Sequence, residues 1–84
     1  MASVLLTSEA RAAFDDLRPP IRGRIAAVIE RLADWPNVSG AKPLRGEMAG
    51  SYRVRIGDYR LVFRVRMDVL TVTRIALRRD VYEE

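Results

Sequence analysis

Apolar residues recur at the spacing of helix faces between positions 10 and 32 of the chain. The two stripes comprise Ala10, Ala13, Phe14 and Leu17, followed by Ile21, Ile25, Val28, Ile29 and Leu32. Pro19-Pro20 separates them, because proline cannot donate a backbone hydrogen bond and disfavours a helical conformation of the preceding residue. Thr7 or Ser8 offers a side-chain oxygen as the N-cap of the first helix. The pattern predicts a helical hairpin with a tight elbow, ending before Pro36.

From residue 51 onward the pattern changes to alternation, which is typical of strands with one buried face. Three runs, at about 51–56, 59–66 and 69–77, are bounded by turn residues and predict three consecutive strands. Gly57-Asp58 fits a two-residue hairpin turn of type II′, which prefers glycine in its first position. Met67-Asp68 predicts the next turn, so the three strands are expected to pair antiparallel.

The remaining segments complete the predicted fold. The short apolar run Ala2–Leu6 predicts an edge strand, and residues 36–50, rich in proline and glycine, predict a loop that crosses to the sheet. The element order is therefore β-α-α-β-β-β. This order predicts an α+β fold, with a largely antiparallel sheet and the N-terminal helical hairpin packed on one of its faces. No linker or internal repeat is visible, so we expect a single domain over residues 1–84.

The composition limits the classes of function. Because the chain has no cysteine and no histidine, it can form neither a disulfide nor a thiolate or imidazole metal site, and we predict no metal and no other cofactor. No apolar run approaches the roughly 20 residues of a transmembrane helix. Residues 1–6 also lack the pattern of a signal peptide. We therefore expect a cytoplasmic protein with no membrane partner.

Positive charge is concentrated in the predicted strands and is carried almost entirely by arginine. Residues 51–84 hold eight arginines against five acidic residues, whereas residues 1–50 hold seven basic against six acidic residues. The arginines that alternate with predicted core positions are Arg53, Arg55, Arg60, Arg64 and Arg66. Guanidinium groups can bind phosphate bidentately, so this face is a candidate surface for RNA. The simpler interpretation is a solvated sheet face that binds nothing.

Three segments together resemble the RelE/ParE toxin superfamily of toxin–antitoxin systems. They are K-P-L-R-G at 42–46, Y-R-V-R-I-G-D-Y-R-L-V-F at 52–63, and R-R-D-V-Y at 78–82. The resemblance covers nearly the whole chain and implies a RelE-like fold. For the RelE branch it implies an mRNA interferase that acts in the ribosomal A site. Attack by a ribose 2′-OH on the adjacent phosphate would leave a 2′,3′-cyclic phosphate and a 5′-OH. The implied partners are a cognate antitoxin, the ribosome and mRNA, with no small-molecule cofactor.

The resemblance also implies which residues act. By position, catalytic roles fall on Arg60, Arg78 and Tyr82, and RNA-binding roles fall on Arg53, Arg55 and Arg79. Two features depart from the family pattern. The strand pair that is often lysine in RelE proteins is arginine here, at positions 53 and 55. The RelE arginine six residues before the tyrosine is replaced by Ala76, so either Arg78 or Arg79 would serve as the C-terminal arginine.

The general base and the exact function stay open at this point. Arginine remains protonated in proteins and histidine is absent, so the candidate bases are Tyr82, Glu47, Asp58 and Asp80. ParE-type toxins share the fold and act on DNA gyrase. A non-catalytic module that binds only its antitoxin or nucleic acid would also present a basic face. Tyr82 together with the paired arginines at 53 and 55 favours RNA cleavage.

Overall fold

A computed structural model of the chain describes residues 2–78. Within that range the helices are α1 (Ser8–Asp15) and α2 (Ile21–Arg31). The strands are β1 (Ser3–Leu6), β2 (Lys42–Pro43), β3 (Ser51–Ile56), β4 (Tyr59–Arg66) and β5 (Val69–Leu77). Short 3₁₀ turns follow α2 at Leu32–Asp34 and precede β3 at Gly46–Met48.

The strands form one sheet with the order β1-β5-β4-β3-β2. β1 pairs with β5 in parallel, and every other pairing is antiparallel. The predicted α+β fold and the bounds of the three long strands are confirmed. The predicted loop at 36–50 differs in one respect, because it contains the two-residue strand β2 at the sheet edge. A lysine followed by a proline has no alternation from which such a strand could be predicted.

A side-chain cap fixes the start of the helical hairpin. The Ala10 N–H donates to Thr7 Oγ1 at 3.1 Å, so Thr7 is the N-cap of α1. α1 ends at Asp15 with Asp16 as its C-cap, and α2 begins directly after Pro20. No helix among residues 2–78 is long and apolar enough to cross a membrane.

The main core lies between this hairpin and one face of the sheet. Its buried members are Ala10, Leu17, Ile25, Val28, Leu32, Val54, Ile56, Leu61, Phe63, Leu70, Val72 and Ile75. Trp35 closes one end of the core, with its ring 4.6 Å from that of Tyr52 and 5.3 Å from that of Phe63. Edge-to-face aromatic pairs of this kind contribute about 0.5–1.5 kcal/mol each beyond the area they bury. The prediction that Trp35 and Tyr52 are core residues is confirmed.

Both predicted hairpin turns are present. Gly57 has φ +58°, a conformation that glycine adopts without steric cost, and it joins β3 to β4. Met67 has φ +56° in the next turn, which is unusual for a residue with a side chain. These two turns set the register that brings the arginines together.

Candidate nucleic-acid interface

The sheet face opposite the main core carries the cationic side chains. In the β3–β4 register Arg55 is directly opposite Arg60, and Arg53 is opposite Val62. Directly opposed residues on antiparallel strands have Cβ atoms about 4.5–5.5 Å apart. We call this surface the Arg face. It comprises Lys42, Arg53, Arg55, Arg60, Val62, Arg64, Arg74 and Ala76.

A β-bulge in β5 brings a further arginine onto the Arg face. Val62 is opposite Arg74 while its neighbour Phe63 is opposite Val72, so Thr73 has no partner of its own on β4. Up to Val72 the even-numbered residues of β5 point to the core. The bulge reverses this phase, so that Ile75 is buried and Arg74 lies on the Arg face. If β5 alternated without a bulge from Val72 through Thr73, Arg74 would point into the core.

The Arg face is not uniformly solvated. Arg53 is only 4% exposed and Arg60 only 8% exposed, and the Nε atoms of both are buried. The interpretation of these residues as a plain solvated face is therefore wrong for Arg53 and Arg60, whereas Arg55 and Arg64 are exposed. Buried cations are costly to hold unless they are paired. Arg53, Arg55, Arg60 and Arg74 all take part in interactions within the protein.

A small apolar patch supports the buried part of the Arg face. Val62 is 1% exposed and Leu44 is 6% exposed, and neither belongs to the main core. The Leu44 N–H donates to the Ser51 carbonyl at 2.9 Å, which extends the β2–β3 pairing by one residue. This places Leu44 beside the Arg face. Arg53 and Arg60 therefore share the Arg face with two buried apolar residues and are not in open solvent.

The C-terminal candidates are described only in part. Arg78 follows β5, is exposed, and donates its backbone N–H to the Asp58 carbonyl at 2.8 Å. This hydrogen bond holds Arg78 beside the turn that precedes Arg60. Arg79, Asp80 and Tyr82 lie outside the described residues. Of the other candidate bases, Asp58 is in the β3–β4 turn and Glu47 is in the 3₁₀ turn before β3; both are exposed.

Comparison with known proteins decides the family. The ParE toxin family of type II toxin–antitoxin systems (parDE) matches residues 4–82 of this chain. The chain belongs to the RelE/ParE toxin superfamily. The described part of this toxin has a Cα radius of gyration of 11.8 Å. In the part that the structure describes, no group of three or more acidic side chains is arranged to hold a metal ion.

Related proteins match this toxin both in sequence and in structure. Toxin RelG of Mycobacterium tuberculosis is 38% identical over 86 residues, covering 95% of this chain and 94% of RelG. The toxin–antitoxin complex RelBE2 from Mycobacterium tuberculosis contains a chain that matches with a TM-score of 0.79 and 30% identity, covering 92% of this chain and 98% of that one. The isolated E. coli RelE toxin matches with a TM-score of 0.78 and 21% identity, covering 92% and 84%, and supports the fold.

Two cations of the toxin's Arg face were not singled out as site residues from the sequence. Lys42 is directly opposite Arg53 in the β2–β3 register, and Arg74 is opposite Val62. The clue to Arg74 is present in the sequence, because two polar residues, Thr73 and Arg74, interrupt the alternation of β5. The clue to Lys42 is absent, since strand β2 is too short to be recognised. Both residues lie in the same row across the sheet as Arg53.

Proposed function

We propose that this toxin is a ribosome-dependent mRNA endoribonuclease that inhibits translation in the cytoplasm. The observation that carries the proposal is the direct pairing of Arg55 with Arg60 across β3 and β4. Guanidinium groups on two neighbouring strands can both donate hydrogen bonds to one phosphate placed between them. Arg53 lies two residues before Arg55 on the same face of β3, so three arginines share this part of the sheet.

The proposed reaction is intramolecular displacement at phosphorus. The ribose 2′-OH attacks the adjacent phosphate, the bond to the 5′-oxygen breaks, and a 2′,3′-cyclic phosphate and a 5′-OH result. The 2′-OH proton passes to a base, and the leaving 5′-oxygen receives a proton from an acid. The reaction balances as written, without a metal ion or a redox partner.

Arg60 is assigned the central role in stabilising the charge that develops in this reaction. It is buried on a strand, flanked by β3 and β5, so its guanidinium is positioned before substrate binds. Preorganised donors aimed at developing charge contribute about 3–4 kcal/mol each. Arg55 would share the phosphate that Arg60 contacts, Arg53 would hold a neighbouring phosphate, and Arg78 or Arg79 would hold a second oxygen of the scissile group. Tyr82 would act on the 2′-OH or stack on a base.

Dependence on the ribosome follows from the chemistry available. Arginine cannot act as a proton acceptor, and histidine is absent from the chain. The candidate bases are a tyrosine and carboxylates, whose ordinary pKa values lie far from neutrality, so we expect acid–base catalysis by the protein to be weak and alignment of the 2′-OH to matter more. A ribosome-bound codon provides that alignment. We expect free RNA to be cut much more slowly than ribosome-bound message.

An antitoxin partner accompanies the proposal. The matched chain from Mycobacterium tuberculosis was solved in a toxin–antitoxin complex. We propose that the cognate antitoxin of this toxin covers the Arg face with an acidic, amphipathic helix, because complementary charge speeds capture and masks the face from RNA. Co-expression with the product of the neighbouring reading frame should yield a stable complex. Failure to form one would count against the toxin assignment.

The test of the main proposal is the order in which synthesis stops. After induction of this chain alone, incorporation of labelled methionine should fall before incorporation of labelled thymidine. A second candidate is inhibition of DNA gyrase, favoured by the match to the ParE toxin family of the parDE system. If thymidine incorporation fell first and the purified chain inhibited gyrase supercoiling, the gyrase proposal would replace the ribonuclease proposal.

A further inference from the structure

We propose that a cavity between α1 and β5 binds a single-ring nucleobase and sets the base preference of cleavage; this inference rests on the proposed ribonuclease function. The cavity has a volume of about 210 Å³. Two of its lining residues come from α1 and the rest from β5: Glu9, Ala13, Thr73, Arg74, Ile75 and Ala76. We call it the α1–β5 cavity. It is separate from the row of arginines on β3 and β4 but borders the Arg face.

The β-bulge and the end of β1 together create the cavity. β1 pairs with β5 only as far as Val72, so beyond that residue the edge of β5 is next to α1 instead of a strand. The Thr7 hydroxyl accepts the Ala10 N–H and lies 3.5 Å from the Thr73 carbonyl oxygen, at the outer limit of hydrogen-bond distance. Thr73 Oγ1 donates to the Val62 carbonyl at 3.3 Å. The start of α1 and the bulge are therefore in contact through Thr7 and Thr73.

The cavity is next to the proposed scissile phosphate. Ala76 lines the cavity and is directly opposite Arg60 in the β4–β5 register. The two residues are therefore about 4.5–5.5 Å apart at Cβ. A nucleotide whose phosphate contacts Arg60 can turn its base across one strand and enter the cavity. Single-stranded RNA is commonly read in this way, with bases splayed out of the stack.

The lining residues suit a base and do not suit a phosphate. Ala13, Ile75 and Ala76 provide apolar walls, and the planar guanidinium of Arg74 is a surface on which bases stack. Glu9 is a carboxylate at the border of a phosphate-binding face, where it would repel a phosphate group. A carboxylate accepts hydrogen bonds only, and the exocyclic amino group of cytosine is the donor that Glu reads in nucleic acids.

The α1–β5 cavity is open to solvent and has a volume of about 210 Å³. That volume has room for one pyrimidine ring with its substituents, and the hydrogen-bonding groups of the base distinguish the two pyrimidines. Uracil matches in size but presents a carbonyl oxygen where cytosine presents the amino group, so at that position it offers Glu9 no donor. Cytosine is the pyrimidine whose exocyclic amino group can donate to the Glu9 carboxylate.

The direct test is an NMR titration of the purified toxin with cytidine and uridine 3′-monophosphates. Cytidine monophosphate should shift the methyl signals of Ala13 and Ala76 and bind about fivefold or more tightly than uridine monophosphate. Glu9→Gln should abolish or reverse this preference, because the glutamine amide can donate to the uracil carbonyl. The matched control is Glu30→Gln on α2, which should keep the wild-type preference. Equal affinity for the two nucleotides, or a preference unchanged by Glu9→Gln, would overturn the proposal.

A cleavage experiment separates this inference from the proposed function. Ribosome-bound messages that differ only in cytosine or uracil beside the cut should be cleaved at rates differing by about fivefold or more, and Glu9→Gln should remove that difference. If wild type cleaves and Glu9→Gln leaves the ratio unchanged, the cavity assignment fails alone. If wild type cleaves nothing, the proposed function fails, while the titration still decides the cavity. Methyl shifts caused by the antitoxin but by neither nucleotide would make the cavity a partner contact and overturn the inference.

Discussion

Deleting Thr73 should leave the fold intact, although it removes a residue from the middle of a strand. Because Thr73 is the bulged residue, its removal lets Arg74 follow Val72 while each keeps its present partner on β4. The side chains on both sides of the deletion stay on their present faces. What is lost is two hydrogen bonds, from Thr73 Oγ1 to the Val62 carbonyl and from Thr7 Oγ1 to the Thr73 carbonyl. At about 0.5–1.5 kcal/mol each, they set the cost at about 1–3 kcal/mol.

Deletion of Thr71, two residues earlier in the same strand, is the matched control. In this variant β5 would pair regularly with β4, without a bulge, because the deletion removes the one residue by which β5 is longer. Thr73 would then enter the core opposite Phe63, and Val72 would move to the Arg face. Val72 is fully buried now, and exposing a valine costs about 1.5–3 kcal/mol. Burying an unsatisfied hydroxyl adds about 1–3 kcal/mol. The Thr71 deletion should therefore cost at least about 3 kcal/mol, a large share of the stability of a small domain.

The assay is equilibrium urea unfolding of the two deletion variants and the wild type. The urea concentrations at the midpoint are compared with the dependence of the unfolding free energy on urea (the m-value) fitted as one common value. The Thr73 deletion should unfold cooperatively at a modestly lower urea concentration. The Thr71 deletion should unfold at a much lower concentration or be unfolded in buffer. If the Thr71 deletion were as stable as the Thr73 deletion, the assignment of Thr73 as the bulged residue would be wrong.

Three further predictions concern single substitutions. Arg53→Ala should lower the free energy of unfolding more than Arg55→Ala does, measured by urea, because Arg53 is buried and its long side chain packs in the Arg face whereas Arg55 is exposed. Gly57→Ala should cost about 1–2 kcal/mol, since φ is +58° and the new Cβ would be 3.3 Å from Arg24 Nη1; a midpoint equal to wild type would refute this. Tyr82→Phe should lose cleavage if the hydroxyl transfers a proton, and retain it if the ring stacks on a base.

The main secondary structure could be predicted because it follows continuous patterns. The alternation of β3 and β4 has no interruption, so both strands and the glycine turn between them were predicted with the observed bounds. β2 could not be predicted, because a two-residue strand has no period. The bulge in β5 falls between these cases. The bulge is marked by a change of the buried positions from even-numbered Leu70 and Val72 to odd-numbered Ile75. A prediction that assumes strict alternation along the whole strand overlooks this change.

The candidate site could be predicted in outline for the same reason. Side chains two residues apart on a strand share a face, so Arg53 and Arg55 were expected together, and hairpin register adds Arg60. The burial of Arg53 and Arg60 could not be predicted, because it depends on which distant segments fold beside the face. Because Arg60 is buried, we expect Arg60→Ala to lower the stability of the fold as well as the activity. The activity of such a variant has to be compared at equal folded fraction.

Cleavage of ribosome-bound message by Arg60→Ala is the measurement that tests the central claim most directly. Mapping the ends of a defined message by primer extension gives the cleavage rate, and wild type should leave a 2′,3′-cyclic phosphate. Arg60→Ala should cleave on the order of 100-fold more slowly, because one preorganised donor is lost. Arg66→Ala, exposed at the far end of the same strand face, should lose mainly salt-dependent affinity. Equal cleavage by folded Arg60→Ala and wild type would contradict the catalytic assignment and leave the Arg face as a binding surface.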